Sequence, residues 1–156
     1  RCDQGDPGQL RVVAEQIGAA FAIIDDGSHI PEHQLLTFDL FFEAVLEPGG
    51  LYIIEDIEVS YWRRGVLYGY PTRYGLHSSR TLMAAMKLVV DWVNREFLSD
   101  ADRSVLSARL RDAGLSAATC DQVASLEFAQ NCVLLRKREL WEEAFDCRPY
   151  KFSEYV

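Results

Sequence analysis

The chain has no apolar run approaching the ~18 residues that span a bilayer. Its longest candidate, Leu82 to Val93, is interrupted by Lys87 and Asp91. It also lacks a basic excess: 16 Lys and Arg stand against 24 Asp and Glu, for a net charge of −8. That balance excludes the basic face a nucleic-acid partner requires. No Cys-x-x-Cys pair occurs; Cys2, Cys120, Cys132 and Cys147 are scattered, which fits reduced thiols in a cytoplasmic protein better than a zinc site or a disulfide frame. Internal repeats, low-complexity segments and a secretory signal are not found. What is present is a core: 49% of the 156 residues are hydrophobic and 12% aromatic, enough for one domain over 1–156. The chain opens on Arg1, inside what reads as the middle of a fold, and upstream sequence is expected.

Hydrophobic patterning predicts an α/β order. After the turn Asp6-Pro7-Gly8, an amphipathic helix over Gln9 to Ile17 places Leu10, Val13 and Ile17 on one face. Phe21 to Ile24 is apolar throughout, as in a central parallel strand. Pro31 opens a helix toward Leu46 whose buried face carries Leu35, Phe38, Phe42 and Val45. Glu47-Pro48-Gly49-Gly50 closes it, and Leu51 to Ile54 is a second central strand. Residues 57–78 read as a long irregular stretch rich in aromatic and basic side chains, which in a compact domain points to function. A helix is expected over Thr81 to Phe97, with Leu82, Met86, Val89, Val90, Val93 and Phe97 inward. A shorter one covers Asp102 to Ala113, stopped by Gly114. Val123 to Phe128 and Cys132 to Arg136 form an antiparallel hairpin. The tail from Trp141 is too mixed for an assignment.

Two acidic pairs end the two central strands: Asp25-Asp26 and Glu55-Asp56. A crossover connection brings both pairs to one sheet edge, where open α/β folds bind ligands. Carboxylates converging there repel one another unless a cation lies among them. Asp26, Glu55 and Asp56 offer hard oxygen donors suited to Mg²⁺; the alternative is that they cap helices or face solvent. His29 reads either as a general base or as a cap for the helix beginning at Pro31. His33 completes a His-x-x-x-His spacing, but no glutamate follows the first histidine, and it is read as surface. The loop Asp3-Gln4 before the first helix suits an adenine amino group in a nucleotide-binding sheet, as many surface loops do. The aromatic stretch reads as a sugar platform or as a flap that covers the core or pairs two copies.

With these residues placed, the chain resembles class I S-adenosylmethionine-dependent methyltransferases, and among them the metal-dependent sugar O-methyltransferases of the macrocin and mycinamicin type. The resemblance is carried by Cys2-Asp-Gln4, by Phe21-Ala-Ile-Ile-Asp-Asp-Gly-Ser-His29, by Leu46-Glu-Pro-Gly-Gly-Leu-Tyr-Ile-Ile-Glu-Asp-Ile57 and by Ser60-Tyr-Trp62. It continues more loosely through Lys87-Leu-Val-Val-Asp-Trp-Val-Asn94. It implies a Rossmann-like methyltransferase sheet with helices on both faces and a C-terminal antiparallel hairpin. The first βα units are missing, so the chain is expected to be the C-terminal two-thirds of a catalytic domain. It further implies Asp26, Glu55 and Asp56 as Mg²⁺ ligands and His29 as general base. Asp3, Gln4 and Asp25 would lie on the S-adenosylmethionine side, and Tyr61 and Trp62 by the acceptor, a glycoside or polysaccharide. The family's glycine-rich cofactor loop is absent, so weak cofactor binding is expected of this segment alone. Two other readings stand beside it: a metal-dependent hydroxylase or hydrolase built on the same carboxylates, and a non-catalytic binding or dimerising module.

Overall fold

The computed structural model describes residues 1–67 and 69–142. Tyr68 of the aromatic stretch, Cys147 and the tail beyond Glu142 lie outside the described residues. Helix α1 (Pro7–Ile17) begins two residues earlier than the periodicity indicates, because the Asp6 side chain accepts from the amides of Gly8 and Gln9 and Pro7 occupies the first turn. Leu10 and Ala14 are buried, whereas Ile17, expected inward, is exposed at the helix end.

Strand β1 (Ala20–Asp25), helix α2 (Pro31–Ala44) and strand β2 (Leu46–Glu55) form the expected crossover, with β1 and β2 parallel. All four residues expected on the inner face of α2, Leu35, Phe38, Phe42 and Val45, are buried. Strand β2 is longer than the expected Leu51–Ile54, since Pro48-Gly49-Gly50 lies inside it and not in a turn before it. The pairing with β1 shifts between Ala20 and Ala22. A Cβ at Gly50 would stand 2.7 Å from the Phe21 carbonyl oxygen, so the close backbone approach requires glycine.

The stretch 57–78, expected irregular, contains a 3-10 turn (Ile57–Tyr61) and a small hairpin, β3 (Gly65–Leu67) with β4 (Tyr70–Thr72). Helix α3 (Leu82–Val93) is capped by the Thr81 hydroxyl and stops at Asn94 instead of running on to Phe97; a separate 3-10 turn holds Arg95–Phe97. Val90 and Phe97, expected inward, are exposed, while Met83, Leu88 and Trp92 are buried. The helix is wedged among the sheet, α4 (Asp100–Asp112) and α5 (Ala117–Asp121), so its buried arc follows several neighbours and not a single face. The five-residue α5 has too little periodicity to be read from sequence.

Strands β5 (Val123–Ala129) and β6 (Cys132–Lys137) form the expected hairpin, and the main sheet runs β1-β2-β6-β5 with β6 antiparallel to β2. Tyr52, Ile54, Val133 and Leu135 share one face and are fully buried. On that face the Tyr52 ring meets Phe38 and Phe42 at centroid distances of 5.4 and 6.2 Å. All five described helices contribute to this single core cluster. Strand β1, expected central, stands at the edge of the described sheet, with Phe21 63% and Ile24, which pairs with Ile53 on the face away from the core, 61% exposed.

Candidate metal centre

The parallel register sets Asp25 opposite Ile54, so β1 and β2 end together and the chain leaves both strands at one edge. Asp26 follows β1 directly. Asp56 follows β2 in the left-handed region at φ 51°, and His29 adopts φ 56°. Side chains other than glycine rarely hold this conformation, and two so close together mark a backbone bent to aim its side chains. His29 Nε2 stands 3.8 Å from Asp26 Oδ1 and 3.7 Å from Asp56 Oδ2. One ligand atom from each of the three lies within 4.8 Å of the others. The imidazole is buried while the Asp26 and Asp56 side chains are 66% and 41% exposed, so the cluster opens to solvent over a fixed base.

These separations exceed a hydrogen bond and match the span between two ligands of one ion bonded at about 2.1–2.5 Å. The Asp26 and Asp56 carboxylate oxygens are hard donors that fit Mg²⁺, whereas imidazole is a softer ligand suited to Zn, Cu or Fe, so His29 suits a place beside such an ion rather than on it. Of the three expected ligands the structure brings Asp26 and Asp56 together, with His29 beside them. Glu55 stands outside the group: it is still within β2, paired with Cys132, and its carbonyl accepts from Gln34 Nε2 at 2.9 Å. Neighbouring strand residues point to opposite faces, so an acidic pair straddling a strand end need not act together.

The remaining expected site residues support this edge. Asp25 is 5% exposed, and burial pushes its carboxyl up to about 6 despite a hydrogen bond from Gln4. Gln4 Nε2 donates to Asp25 Oδ1 at 2.8 Å and Gln4 Oε1 accepts from the Ser28 amide at 2.7 Å. Both ends of the Gln4 amide thus make contacts within the protein, which tie its loop to the Asp25–Ser28 turn and leave one N–H of the amide over. Asp3 Oδ1 accepts from the Gly5 amide and shapes the loop that carries Gln4. His33, read as surface, is half-buried, and its Nδ1 shares a 2.9 Å hydrogen bond with Ser28 Oγ. Tyr61 and Trp62 are partly exposed. Tyr61 lines a groove of about 570 Å³ with Arg80, Lys87 and Arg109, apart from the acidic cluster.

Asn131 is a site residue that the sequence hides. Its Nδ2 donates to Asp56 Oδ1 at 2.8 Å and its Oδ1 accepts from the Glu58 amide at 3.0 Å. The hairpin turn it occupies therefore also holds Asp56 in place. The hairpin between Phe128 and Cys132 was legible in the sequence; the reach of Asn131 across to β2 was not.

Fold and site together define a Rossmann-like α/β unit with a candidate divalent-cation site at the carboxyl edge of its parallel strands. No protein-family model matches the chain. Its sequence is 35% identical over 139 residues to 8-demethyl-8-alpha-L-rhamnosyl tetracenomycin-C 2'-O-methyltransferase of Streptomyces olivaceus, covering 87% of this chain and 32% of that protein. It is 38% identical over 102 residues to demethylmacrocin O-methyltransferase of Streptomyces fradiae, covering 65% of this chain and 25% of that protein. The fold matches the crystal structure of MycE methyltransferase from the mycinamycin biosynthetic pathway, in complex with Mg and SAH. That match has a TM-score of 0.69 at 27% identity and covers 92% of this chain and 33% of the other. The chain is a homologue of sugar O-methyltransferases of the macrocin, mycinamicin and tetracenomycin type, and it spans between about a quarter and a third of the length of those relatives. Among the described residues no helix is long and apolar enough to cross a membrane.

Proposed function

We propose that the protein carrying this chain is an S-adenosylmethionine- and Mg²⁺-dependent O-methyltransferase whose acceptor is a sugar hydroxyl of a glycoside. The observation that carries this reading is the convergence of Asp26, His29 and Asp56 in a homologue of enzymes named for that reaction. A cation bound by Asp26 and Asp56, with Glu55 the third candidate ligand, would lower the pKa of a chelated sugar hydroxyl and stabilise its alkoxide.

The chain's own residues then have separate tasks. His29 Nε2 takes the hydroxyl proton, and the two carboxylates within 3.8 Å stabilise the imidazolium that forms. S-adenosylmethionine, when bound, would supply an activated methyl group to that oxygen, the carbon–sulfur electron pair staying with the departing thioether. The sulfonium is already activated, so alignment is the main demand on the protein. Asn131 and the bent backbone at His29 and Asp56 supply it. Asp3, Gln4 and Asp25 are the candidates for the cofactor side, and Tyr61 and Trp62 for the acceptor side. The free thiols of Cys2, Cys120 and Cys132 fit a cytoplasmic setting.

The test is methyl transfer from labelled S-adenosylmethionine to a rhamnosylated polyketide by the intact protein. EDTA is expected to abolish transfer and Mg²⁺ to restore it, and Asp26→Asn to lower kcat/KM by at least about 100-fold. Transfer indifferent to both EDTA and Asp26→Asn would sink the proposal.

A further inference from the structure

The groove between α3 and the end of α4 has no part in the chemistry above. Its volume of about 570 Å³ falls within the size range of small-ligand sites. Met83, Ala84, Lys87, Leu88 and Asp91 line it at intervals of three and four, so it follows one face of α3. The loop ahead of that helix supplies Arg80, and the closing turn of α4 supplies Arg109 and Asp112. Three separate elements each bring one cation to a single groove.

Those cations are exposed, and none has an ion-pair partner among the described residues. Asp91 follows Lys87 by four residues and Asp112 follows Arg109 by three, spacings at which helical ion pairs form. Neither pair is closed. The amino end of α3 adds the positive end of its dipole on the Arg80 side. Ser60, 2% exposed, brings to the wall a hydroxyl without a partner among the described residues. Tyr61 and Leu76, 43% and 58% exposed, set a ring and an aliphatic face beside the charges. The groove between α1 and α2, of about 500 Å³, has the opposite character: Glu15, Asp39 and Glu43 stand against Arg11 alone.

We propose that the α3–α4 groove is a site for an organic phosphate: its phosphate groups are held by Arg80, Lys87 and Arg109, and the attached ring lies against Tyr61 and Leu76. Guanidinium groups bind phosphate oxygens in pairs, and the Lys87 ammonium adds a point charge. The volume leaves room for more than a bare diphosphate. A nucleic-acid strand is repelled by the net charge of −8. A protein partner would bury three unpaired cations at a desolvation cost that only its own acidic groups could offset. The assignment is independent of the methyltransferase reading. No residue of the acidic cluster takes part, and of the residues given roles above only Tyr61 recurs.

The test is calorimetric titration of the intact protein with UDP, pyrophosphate and uridine. EDTA is present throughout, so that no divalent ion bridges phosphate to the acidic cluster, and a uracil nucleotide avoids the Asp3–Gln4 loop considered for adenine. UDP is expected to bind, pyrophosphate about tenfold less tightly, and uridine not measurably. Lys87→Gln and Arg109→Gln, both at exposed positions, are each expected to weaken UDP by about tenfold or more. Arg11→Gln makes the same change of charge in the α1–α2 groove and is expected to leave UDP affinity within about twofold. No heat with UDP, an affinity indifferent to both groove substitutions, or an equal loss in Arg11→Gln overturns the site. Uridine binding as tightly as UDP overturns the phosphate assignment. Pyrophosphate binding as tightly as UDP overturns the place given to Tyr61 and Leu76.

Discussion

The two ends of α2, about 20 Å apart, both hold buried ionisable groups, and they treat them oppositely. At the carboxyl end the Lys137 ammonium is buried and donates to the carbonyls of Phe42 at 2.7 Å, Glu43 at 3.2 Å and Leu46 at 2.7 Å. Every donor is used, and the positive charge faces the negative end of the helix dipole. Burial lowers the Lys137 pKa, but the geometry is complete and nothing further can bind. At the amino end, Asp26 and Asp56 stand 3.8 and 3.7 Å from His29 Nε2, beyond hydrogen-bond length. Asp25 Oδ2 is buried without a partner among the described residues, and two backbones are held at positive φ. One end of the helix is closed by its own side chains; the other is shaped for something that arrives from outside.

That contrast can be broken at either end. The largest effect is expected from Asp56→Asn, which should lower methyl transfer by at least about 100-fold while leaving urea unfolding unchanged. Asparagine tolerates the left-handed backbone and its side-chain oxygen still accepts from Asn131. A loss of stability equal to the loss of rate would show that the carboxylate is structural. Next comes Lys137→Met, which strips three carbonyls of their donor and should cost roughly 3–5 kcal/mol in urea unfolding. Its kcat/KM, measured well below the transition, should not move. A catalytic defect in a folded Lys137→Met protein would join the two ends functionally.

The smallest effect concerns Asp25. Its folded pKa is raised from 3.8 to about 6, so between those values the native state binds more protons than the unfolded chain. The stability this contributes is full below about pH 4 and is lost as pH rises through 6. Asp25→Asn should therefore remove an unfolding free-energy decrease on the order of 2 kcal/mol between pH 4 and 6.5 in metal-free protein. Parallel pH profiles for the two proteins would place the Asp25 carboxyl in a more polar setting.

The sequence made the amino end of α2 visible because strand ends and helical spacing are local signals. Phe21 to Ile24, the face of Leu35, Phe38 and Phe42, and the acidic pairs all follow from adjacent residues. The carboxyl end was not visible. Lys137 falls just beyond the strand expected over Cys132 to Arg136, and only the packing of β6 beside β2 carries it to carbonyls some ninety positions earlier. Strand pairing also decides that Glu55 still belongs to β2 while Asp56 has left it. The β3–β4 hairpin escaped because three-residue strands containing Pro71 lack the alternation that marks longer ones.

Asp26 and Asp56 are thirty positions apart in the chain and become neighbours only when α2 crosses over and β1 aligns with β2. Neither segment alone holds more than one of these two carboxylates. Closing such a loop costs entropy that grows only slowly with its length, yet until it closes there is no chelate. On the reading proposed above, a cation titration of this protein would therefore also be a folding assay: calorimetric heat with Mg²⁺ would report the fraction of molecules in which the crossover is complete, with no label attached to the chain.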